Sequence, residues 1–407
     1  MNALSIALPL ALAYLRERLL ATWLNIVLLA LGIATILALL LTLSQAEDRM
    51  DRDAAGIDLV VGAKGSPLQL ILAAVFQVDV PTGNIRLSDA DRISAEKAVR
   101  RAIPLSMGDS YRSFRIVGTS ADYLALYDAS VAGGSLWKKP MEALIGADVA
   151  SKTGLRVGQQ FAGTHGLTDG GSGGGTHAAL PFEVVGILKP TGAVIDRLIL
   201  TGLDSIWNLH AHAPDTAAQT IHDADDDKEI TALLIQYATP LAAASFPRHV
   251  NAVSSLQAAA PAMETARLFA LLGFGVTALK LFAGIMLVCA ALGIFIGLTN
   301  ALDERRADLA LLRVLGASRG TVFLTILIQG FALGVAGVIL GIVLGHAGAE
   351  WIGQTIAQSH RVRLTGLTWI AAEGGVILAA LALALAAGLF PAWRAYREAV
   401  PELLSRT

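Results

Sequence analysis

The chain has 407 residues, of which 54% are apolar and 16% are charged, and its formal net charge is −2. Soluble globular domains carry about 25% charged residues, so this composition excludes an ordinary soluble protein and indicates a membrane protein. The near-neutral charge gives no support for a nucleic-acid partner. The one cysteine, Cys289, lies in an apolar run, so a disulfide framework is excluded.

Four segments are apolar over enough residues to cross a bilayer, because a hydrocarbon core of about 30 Å needs about 20 helical residues. We predict a cytoplasmic or interfacial helix at residues 1–18, followed by the first span. The four spans are predicted at residues 19–43, 268–302 (the end of a stalk, with the apolar part beginning at Leu281), 320–349 and 374–393. A short loop of residues 350–373 joins the last two spans, and residues 394–407 form a tail.

Basic residues are unevenly distributed around these spans. Arg16 and Arg18 precede the first span, and Arg394 and Arg397 follow the fourth. The segment Asp303–Arg319, DERRADLALLRVLGASR, separates the second and third spans, and we call it the charged segment. Because cytoplasmic loops carry the excess of lysine and arginine, both termini and the charged segment are predicted to be cytoplasmic. Residues 44–267 then lie on the other side of the membrane.

This external segment is long enough for a domain with its own core. Its β-branched runs predict strands at Ser113–Thr119, Phe182–Ile187 and Val194–Thr201. Helices are predicted at Ser88–Ala102 and at Leu144–Gly154, where Gly154 ends the helix. Mixed strands and helices favour an α+β domain inserted between spans one and two. Residues Ala258–Lys280 are predicted to form a helical stalk that runs into span two.

Two insertions interrupt the external segment. Residues 164–177 are rich in glycine, and residues 210–229 are acidic and contain histidines. Imidazole and carboxylate groups together suit borderline divalent metals such as zinc, although their spacing matches no closed structural site. A solvated surface loop is the favoured reading, and weak zinc binding is the alternative. The candidate zinc ligands are His165, His177, His210, His212, His222, Asp223 and Asp225.

The charged segment itself has the pattern of a short amphipathic helix. An apolar face is predicted, with Arg305, Arg306 and Arg313 around it; its members are Leu309, Leu311, Leu312 and Leu315. Gly316 offers a point at which the helix can stop. A partner protein could displace a short charged helix of this kind at the end of two spans.

The spans on either side of the charged segment contain small residues at a spacing of four. This spacing lets helices approach closely in lipid, so we predict that the hairpin packs against another helix through these positions. They are Gly293, Gly297, Gly330, Gly334, Gly337, Gly341 and Gly345.

Three ionisable residues, Lys280, His346 and Glu373, lie near the outer ends of the predicted spans. They are suited to an ion pair or to the lining of a cavity. Snorkelling of each side chain toward the interface is the favoured alternative.

The charged segment resembles the cytoplasmic loop of the permeases related to MacB, LolC/LolE and FtsX, with the pattern E-R-x-x-[DE]-[IL]-x-x-L-[RK]-x-[LI]-G-A-[ST]. The C-terminal run PAWRAYREAVPELLSR resembles the ending of that family, and ALIGADVASKTGLRVGQQF followed by FEVVGIL resembles its periplasmic core domain. The matching positions of the loop are Glu304, Arg305, Asp308, Leu309, Leu312, Arg313, Leu315, Gly316, Ala317 and Ser318.

The resemblance implies a multi-pass permease subunit in the bacterial inner membrane, working as a dimer with a second permease copy or with a sister subunit. A separate ABC ATPase would bind ATP and magnesium and dock on the charged segment. The predicted contact residues are Glu304, Arg305, Arg306, Asp308, Leu309, Leu312, Arg313, Leu315 and Gly316. The sequence shows no nucleophile–base set and no Walker A pattern, so we expect no enzymatic activity and no cofactor in this chain.

Three roles remain open at this point. The complex could extract lipoproteins or other envelope molecules, which predicts a hydrophobic groove on the external domain. It could instead regulate a periplasmic partner without transport, as FtsX-like proteins do. The histidine and aspartate insertion leaves a third role in divalent-metal handling.

Overall fold

The structure is a computed structural model, and it describes residues 3–165, 180–211, 228–360 and 364–397. These residues separate into two units. The helical unit contains the residues up to Ala46 and from Leu272 onward, and the α/β unit contains Glu47–Leu271.

Helices account for nearly all of the helical unit. The helices of the described chain are, in order, α1 (Ala3–Glu17), α2 (Leu19–Ala54), α3 (Pro67–Ala74), α4 (Leu87–Ser94), α5 (Asp122–Leu126), α6 (Ala147–Thr153), α7 (Leu203–Ala211), α8 (Ala242–Val253), α9 (Pro261–Glu304), α10 (Arg306–Val314), α11 (Arg319–His360) and α12 (Ala371–Arg397). Four of them, α2, α9, α11 and α12, are long and apolar enough to cross a membrane. The prediction of four transmembrane helices with an α+β domain between the first two is confirmed.

Both long helices that flank the α/β unit extend beyond the apolar part of their spans. Helix α2 continues without a break to Ala54, and α9 runs over 44 residues from Pro261. The predicted stalk helix is wrong over its first residues, because Leu256–Ala259 is a strand. Proline is favoured at the first position of a helix, because an N–H there has no acceptor within the helix. Pro261 accordingly begins α9.

The α/β unit is built on one large mixed sheet. Its strands are β1 (Leu59–Ala63), β2 (Ile85–Arg86), β3 (Val99–Tyr111), β4 (Phe114–Thr119), β5 (Val131–Gly134), β6 (Glu142–Ile145), β7 (Gln160–Phe161), β8 (Thr164–His165), β9 (Phe182–Leu188), β10 (Ile199–Thr201), β11 (Glu229–Ile230), β12 (Ala232–Tyr237) and β13 (Leu256–Ala259). The order is β13-β1-β12-β3-β4-β10-β6-β9-β5, with β7 beside β9, β8 beside β3, and β11 paired with β2 in a small second sheet. Strand β4 is buried along its whole length, as expected at the centre of a sheet covered on both faces.

Several predicted elements have different bounds. The predicted strands at β4 and β9 are confirmed. Residues Val194–Arg197 form a 3-10 turn instead of a strand, because the Asp196 carboxylate accepts the N–H groups of Thr191 and Gly192. The helix predicted from Ser88 ends at Ser94, since Val99 pairs with Tyr237 on β12.

The helix predicted from Leu144 begins only after strand β6. Gly146 separates the two elements, and a Cβ there would lie 2.3 Å from the Asp196 carbonyl oxygen. The predicted end at Gly154 is confirmed, because this residue has a φ of +76°, which glycine adopts without strain.

Close approach of backbones organises the helical unit. A Cβ on Gly341 would lie 2.7 Å from the Ile33 Cβ, and a Cβ on Gly345 would lie 2.9 Å from the Leu37 Cβ, so α11 packs on α2. Gly334 faces Ala384 of α12 at 2.6 Å by the same measure. The other predicted packing positions face neighbours as follows: Gly337 faces Leu29, Gly293 and Gly297 face Asn25, and Gly330 faces Ala384, Gly388 and Leu298.

Candidate functional site

The charged segment forms helix α10 between α9 and α11. Arg305, with φ −107° and ψ 20°, separates α10 from the end of α9. Gly316 has a φ of +102°, and this left-handed conformation stops the helix before α11 begins. Asp308 in the first turn and Arg313 in the last turn both interact favourably with the helix dipole.

Helix α10 has two apolar faces with different environments. Leu309 is buried, and Leu312 is half-buried beside it. Their partners in this core are Leu302, Val322 and Ile326. The opposite face is open, with Leu311, Val314 and Leu315 exposed by 61%, 66% and 76%. We call these three residues the docking strip. The buried face fixes α10 to its neighbours and leaves the docking strip free for another molecule.

Ion pairs surround the start of α10. Arg305 pairs with Glu17, and its guanidinium lies 3.9 Å from the centre of the Tyr14 ring. Burial raises the pKa of Tyr14, and Arg305 opposes that rise. Two further pairs join Arg18 to Glu304 and Arg394 to Asp303, the latter at 3.2 Å. We call these three pairs the ion-pair belt. It connects the end of α9 to the α1–α2 junction and to α12.

The predicted ATPase-contact residues therefore fall into different environments. Glu304 and Arg305 already pair within the chain, and Leu309 and Leu312 face its core. Asp308, Leu315 and Gly316 are exposed, and Arg313 is half-exposed. Only the backbone of Arg306 is described. The prediction that the four leucines share one apolar face is wrong, because Leu309 and Leu312 pack into the core whereas Leu311 and Leu315 are exposed. The predicted contact residues left out Leu311 and Val314, which a helical wheel of α10 places beside Leu315.

The last turns of α2 are held inside the α/β unit. Asp53 forms an ion pair with Arg197 at 3.3 Å, and the two side chains are only 3% and 8% exposed. Burial lowers the pKa of Arg197. The Tyr127 hydroxyl donates to the Asp53 carbonyl at 2.8 Å, and Met50 packs against the adjoining core. The end of α2 is thus anchored by charge, hydrogen bonding and packing together.

A cleft of about 920 Å³ lies in the α/β unit. Its lining is mainly apolar, and it also includes the charged residues Asp58, Arg100, Arg248 and Glu264. The N–H of Tyr237 donates to the Asp58 carboxylate at 2.7 Å, and burial raises the pKa of Tyr237 to about 12. The apolar lining residues are Ile57, Pro67, Ala243, Ala244, Pro247 and Met263, among others.

The edge strand β13 lies along this cleft. The Asn251 side chain accepts from the Ala258 N–H at 2.7 Å and donates to the Ala258 carbonyl at 3.2 Å. The exposed edge of a sheet would otherwise offer these groups to another strand. The Asn251 side chain therefore satisfies both backbone groups of Ala258 at this edge.

A polar cluster joins α11, α12 and the loop between them. The ring of His346 lies 3.0 Å from a Glu373 carboxylate oxygen, and the other ring nitrogen contacts the Gly366 carbonyl. Glu373 is only 1% exposed. The favoured prediction of interfacial snorkelling is therefore wrong for His346 and Glu373, because they pair with each other. Lys280 is exposed on α9.

The candidate zinc ligands His177, His212, His222, Asp223 and Asp225 lie outside the described residues, and only the backbones of His165 and His210 are described. Within the described ranges, no group of three or more histidine, cysteine or carboxylate residues is arranged to hold a metal ion. Weak zinc binding by the two insertions stays a prediction.

Two family descriptions match this sequence. Residues 22–245 match the MacB-like periplasmic core domain, and residues 280–400 match the FtsX-like permease C-terminal region. A curated relative, the lipoprotein-releasing system transmembrane protein LolC of Xylella fastidiosa, is 28% identical over 155 residues. That match covers 35% of this chain and 38% of the relative, so the alignment spans well under half of the relative's length.

Two solved structures resemble the chain at low similarity. The periplasmic region of MacB from Actinobacillus actinomycetemcomitans has 8% identity and a TM-score of 0.35, covering 54% of this chain and 95% of the other. The extracellular domain of the noncanonic ABC-type transporter YknZ from Gram-positive bacteria has 12% identity and a TM-score of 0.31, covering 50% and 98%.

Proposed function

Because this chain belongs to the family of permeases with a MacB-like periplasmic core domain and an FtsX-like C-terminal region, we propose that it couples ATP hydrolysis by a separate ATPase to movement of its periplasmic domain. The chain is an ABC-transporter permease-type subunit of the inner membrane. In the proposed complex, ATP and magnesium bind to the ATPase, and this chain needs no cofactor. Both termini and α10 are proposed to be cytoplasmic, and a second permease copy completes the membrane assembly.

The docking strip is the observation that supports an ATPase contact most directly. Leu311 and Val314 of α10 and Leu315 at its end form an exposed apolar row, opposite the face that Leu309 and Leu312 bury. Apolar groups exposed together outside the lipid-facing spans are typical of a protein-binding surface. The docking strip is short, so Asp308 and Arg313 on the same helix would add electrostatic contacts at its rim.

The ion-pair belt supports the proposal that a displacement of α10 is transmitted to α9. Arg305 is the single residue between α10 and α9, and it also pairs with Glu17. A displacement of α10 therefore moves the end of α9 directly. Helix α9 has 44 residues, which span about 66 Å at 1.5 Å per residue. An unbroken helix of this length is a stiff element along which motion can reach strand β13.

The anchor at the end of α2 supports the same proposal from the other side. Helix α2 is unbroken over 36 residues, and Asp53 fixes its last turn to Arg197 of the α/β unit. A helix held at its end by a buried ion pair moves together with the domain that holds it. Transmission through α2 and α9 requires no passage of a substrate between the spans.

The proposal predicts that introducing carboxylates into the docking strip weakens binding of the ATPase. The variant with Leu311→Asp and Leu315→Asp should recover at least about tenfold less ATPase when the tagged full-length chain is purified from its own host, because loss of a central apolar contact costs about 2 kcal/mol. The measurement is the amount of ATPase chain and ATP hydrolysis in the eluate. Leu312→Asp is a poorer probe, because Leu312 packs against the core of the helical unit.

Val253→Asp is the matched control, since Val253 is 73% exposed on α8 of the α/β unit. This variant should recover as much ATPase as the wild type. Equal recovery by the docking-strip variant, at equal membrane content, would refute the assignment of α10 as the ATPase contact.

Release of a lipid-anchored envelope protein is a second candidate, which the apolar cleft supports. The cleft has room for an acyl chain, and the LolC relative is named as part of a lipoprotein-releasing system. Ala244→Trp would fill part of this cleft. This variant should reduce lipoprotein release from membrane vesicles and leave ATPase recovery unchanged. If the chain instead regulates a periplasmic partner without transport, neither the wild type nor the variant should release lipoprotein.

A further inference from the structure

Two residues that line the cleft of the α/β unit carry buried polar atoms with no hydrogen-bond partner in the part of the chain that the structure describes. The atoms are one carboxylate oxygen of Glu264, Oε2, and the hydroxyl oxygen of Tyr237. Such atoms are uncommon in folded proteins, because each has given up its hydrogen bond to water without a replacement. A ligand in the cleft that donates a hydrogen bond would satisfy the carboxylate.

Other polar side chains of the cleft are bonded within the α/β unit. The Gln257 amide donates to the Asn251 side chain at 3.2 Å, and both amides bond to the backbone of Ala258. The Asp58 carboxylate accepts the N–H of Tyr237 at 2.7 Å. These groups have partners before any ligand arrives, so the polar end of a ligand is directed to Glu264.

Glu264 is the least exposed of the four charged residues that line the cleft. It is half-buried, whereas Asp58, Arg100 and Arg248 are exposed, and neither arginine donates to its buried oxygen. Its place in the first turn of α9 is the positive end of the helix dipole, which favours the negative charge but gives Oε2 no hydrogen bond. Rotation about the last side-chain bond can turn this oxygen toward the exposed side of the residue.

The remainder of the cleft suits an apolar chain. Small apolar groups line it along α8, where Ala243, Ala244 and Pro247 lie, and Met263 lies on α9 beside Glu264. The volume of about 920 Å³ lies within the range of about 300–1,000 Å³ that small-molecule sites usually have. A carboxylate at an apolar cleft of this size matches a ligand with an apolar body and one cationic end.

We propose that the cleft binds an amphiphile that carries a protonated primary amine, whose ammonium group donates to Glu264 while its apolar chain lies along α8. An ammonium group has three donors and no acceptor, and an ionised carboxylate has acceptors only, so the two are complementary. Hydrogen bonds between ionised partners are also stronger than neutral ones. The proposal rests on the second candidate function for the presence of an apolar chain in this cleft, and it adds the amine.

A ligand bound in this way lies against the start of α9. Ala262 and Met263 of the same turn line the cleft together with Glu264. Ile57 and Asp58, which also line it, follow shortly after the end of α2. The ligand therefore contacts the segments of the α/β unit that continue into both long helices.

Protection of a single thiol measures this binding. The full-length chain with Cys289→Ala and Ala244→Cys is placed in nanodiscs of zwitterionic lipid near neutral pH and treated with methyl methanethiosulfonate. Ala244 is exposed and lines the cleft, so its replacement by cysteine reacts until a ligand covers it. Half-protection should need about tenfold less octylamine than octanol, because the ammonium adds a charge-assisted hydrogen bond to the same apolar contact.

Glu264→Gln in the same background removes the charge and keeps the shape of the side chain. The tenfold advantage of octylamine should disappear, and octanol should protect as before. Val253→Cys with Cys289→Ala is the control for effects of the amphiphiles on the lipid or the reagent, since Val253 is 73% exposed on α8 and does not line this cleft. Neither amphiphile should change the rate at which this thiol is modified.

An advantage of octylamine that persists in Glu264→Gln would overturn the proposal. Equal protection by octylamine and octanol would overturn it as well, yet it would leave an apolar chain in the cleft and so preserve the second candidate function. If neither amphiphile protects the thiol, both the proposal and that candidate are contradicted. The measurement contains no ATPase, so its outcome is separate from the assignment of α10.

Discussion

Replacing Arg197 by methionine should destabilise the α/β unit by about 3 kcal/mol, because the change leaves the Asp53 carboxylate buried without its closest cation. Breaking a buried ion pair typically costs about 3–5 kcal/mol. Arg49, one turn earlier on α2, also stabilises the Asp53 carboxylate electrostatically. We therefore expect a loss at the lower end of that range. The measurement is the urea midpoint of the full-length protein, followed by proteolysis within the α/β unit.

A double variant distinguishes the loss of a pair from the loss of packing. Asp53→Leu combined with Arg197→Met removes both charges and restores apolar volume, so its stability should return to within about 1 kcal/mol of the wild type. Asp53→Asn alone should be nearly as harmful as Arg197→Met, since it leaves the arginine buried. A double variant no more stable than either single variant would show that the ion pair itself is not what anchors α2.

This anchor illustrates what the sequence alone did not predict. Asp53 and Arg197 are 144 positions apart, and nothing in the local pattern of either residue identifies the other. The same holds for the ion-pair belt, where Glu17 at the end of α1 meets Arg305, the residue between α9 and α10, although 288 positions separate them. His346 and Glu373 had a visible signal, a charged residue within an apolar run, but the choice between pairing and snorkelling required the positions of both helices.

The sequence pattern predicted those features that depend only on neighbouring residues of the chain. The four spans follow from long apolar runs, and Gly154 ends α6 because only its own backbone conformation is involved. The predicted helix at Ser88–Ala102 is wrong after Ser94, because Val99 begins strand β3 and pairs with Tyr237 of the distant strand β12. For α10, the helical pattern was recognisable, but which leucines were buried depended on the neighbouring ends of α9 and α11.

Replacing Gly341 by leucine should separate α2 from α11 and destabilise the helical unit by about 3 kcal/mol, at the upper end of the usual cost of overpacking. A Cβ at this position alone would lie 2.7 Å from the Ile33 Cβ and 3.1 Å from the Ala30 carbonyl oxygen. The neighbours are a β-branched side chain and the backbone of a helix, so neither yields by a simple rotation. Gly341→Ala should therefore also destabilise, although alanine has the higher helix propensity.

Gly284 on α9 provides the opposite case within the same unit, because a Cβ there meets no atom within 4 Å in the described chain. Gly284→Ala should be neutral or slightly stabilising, since the gain in helix propensity is about 1 kcal/mol and no contact opposes it. The two substitutions are chemically identical, so a difference in sign isolates the helix contact from the intrinsic effect of adding a methyl group. Unfolding of the purified protein by increasing fractions of denaturing detergent gives both midpoints. If Gly341→Ala and Gly284→Ala shift the midpoint in the same direction and by the same amount, the close approach of α2 and α11 does not determine the stability of the helical unit.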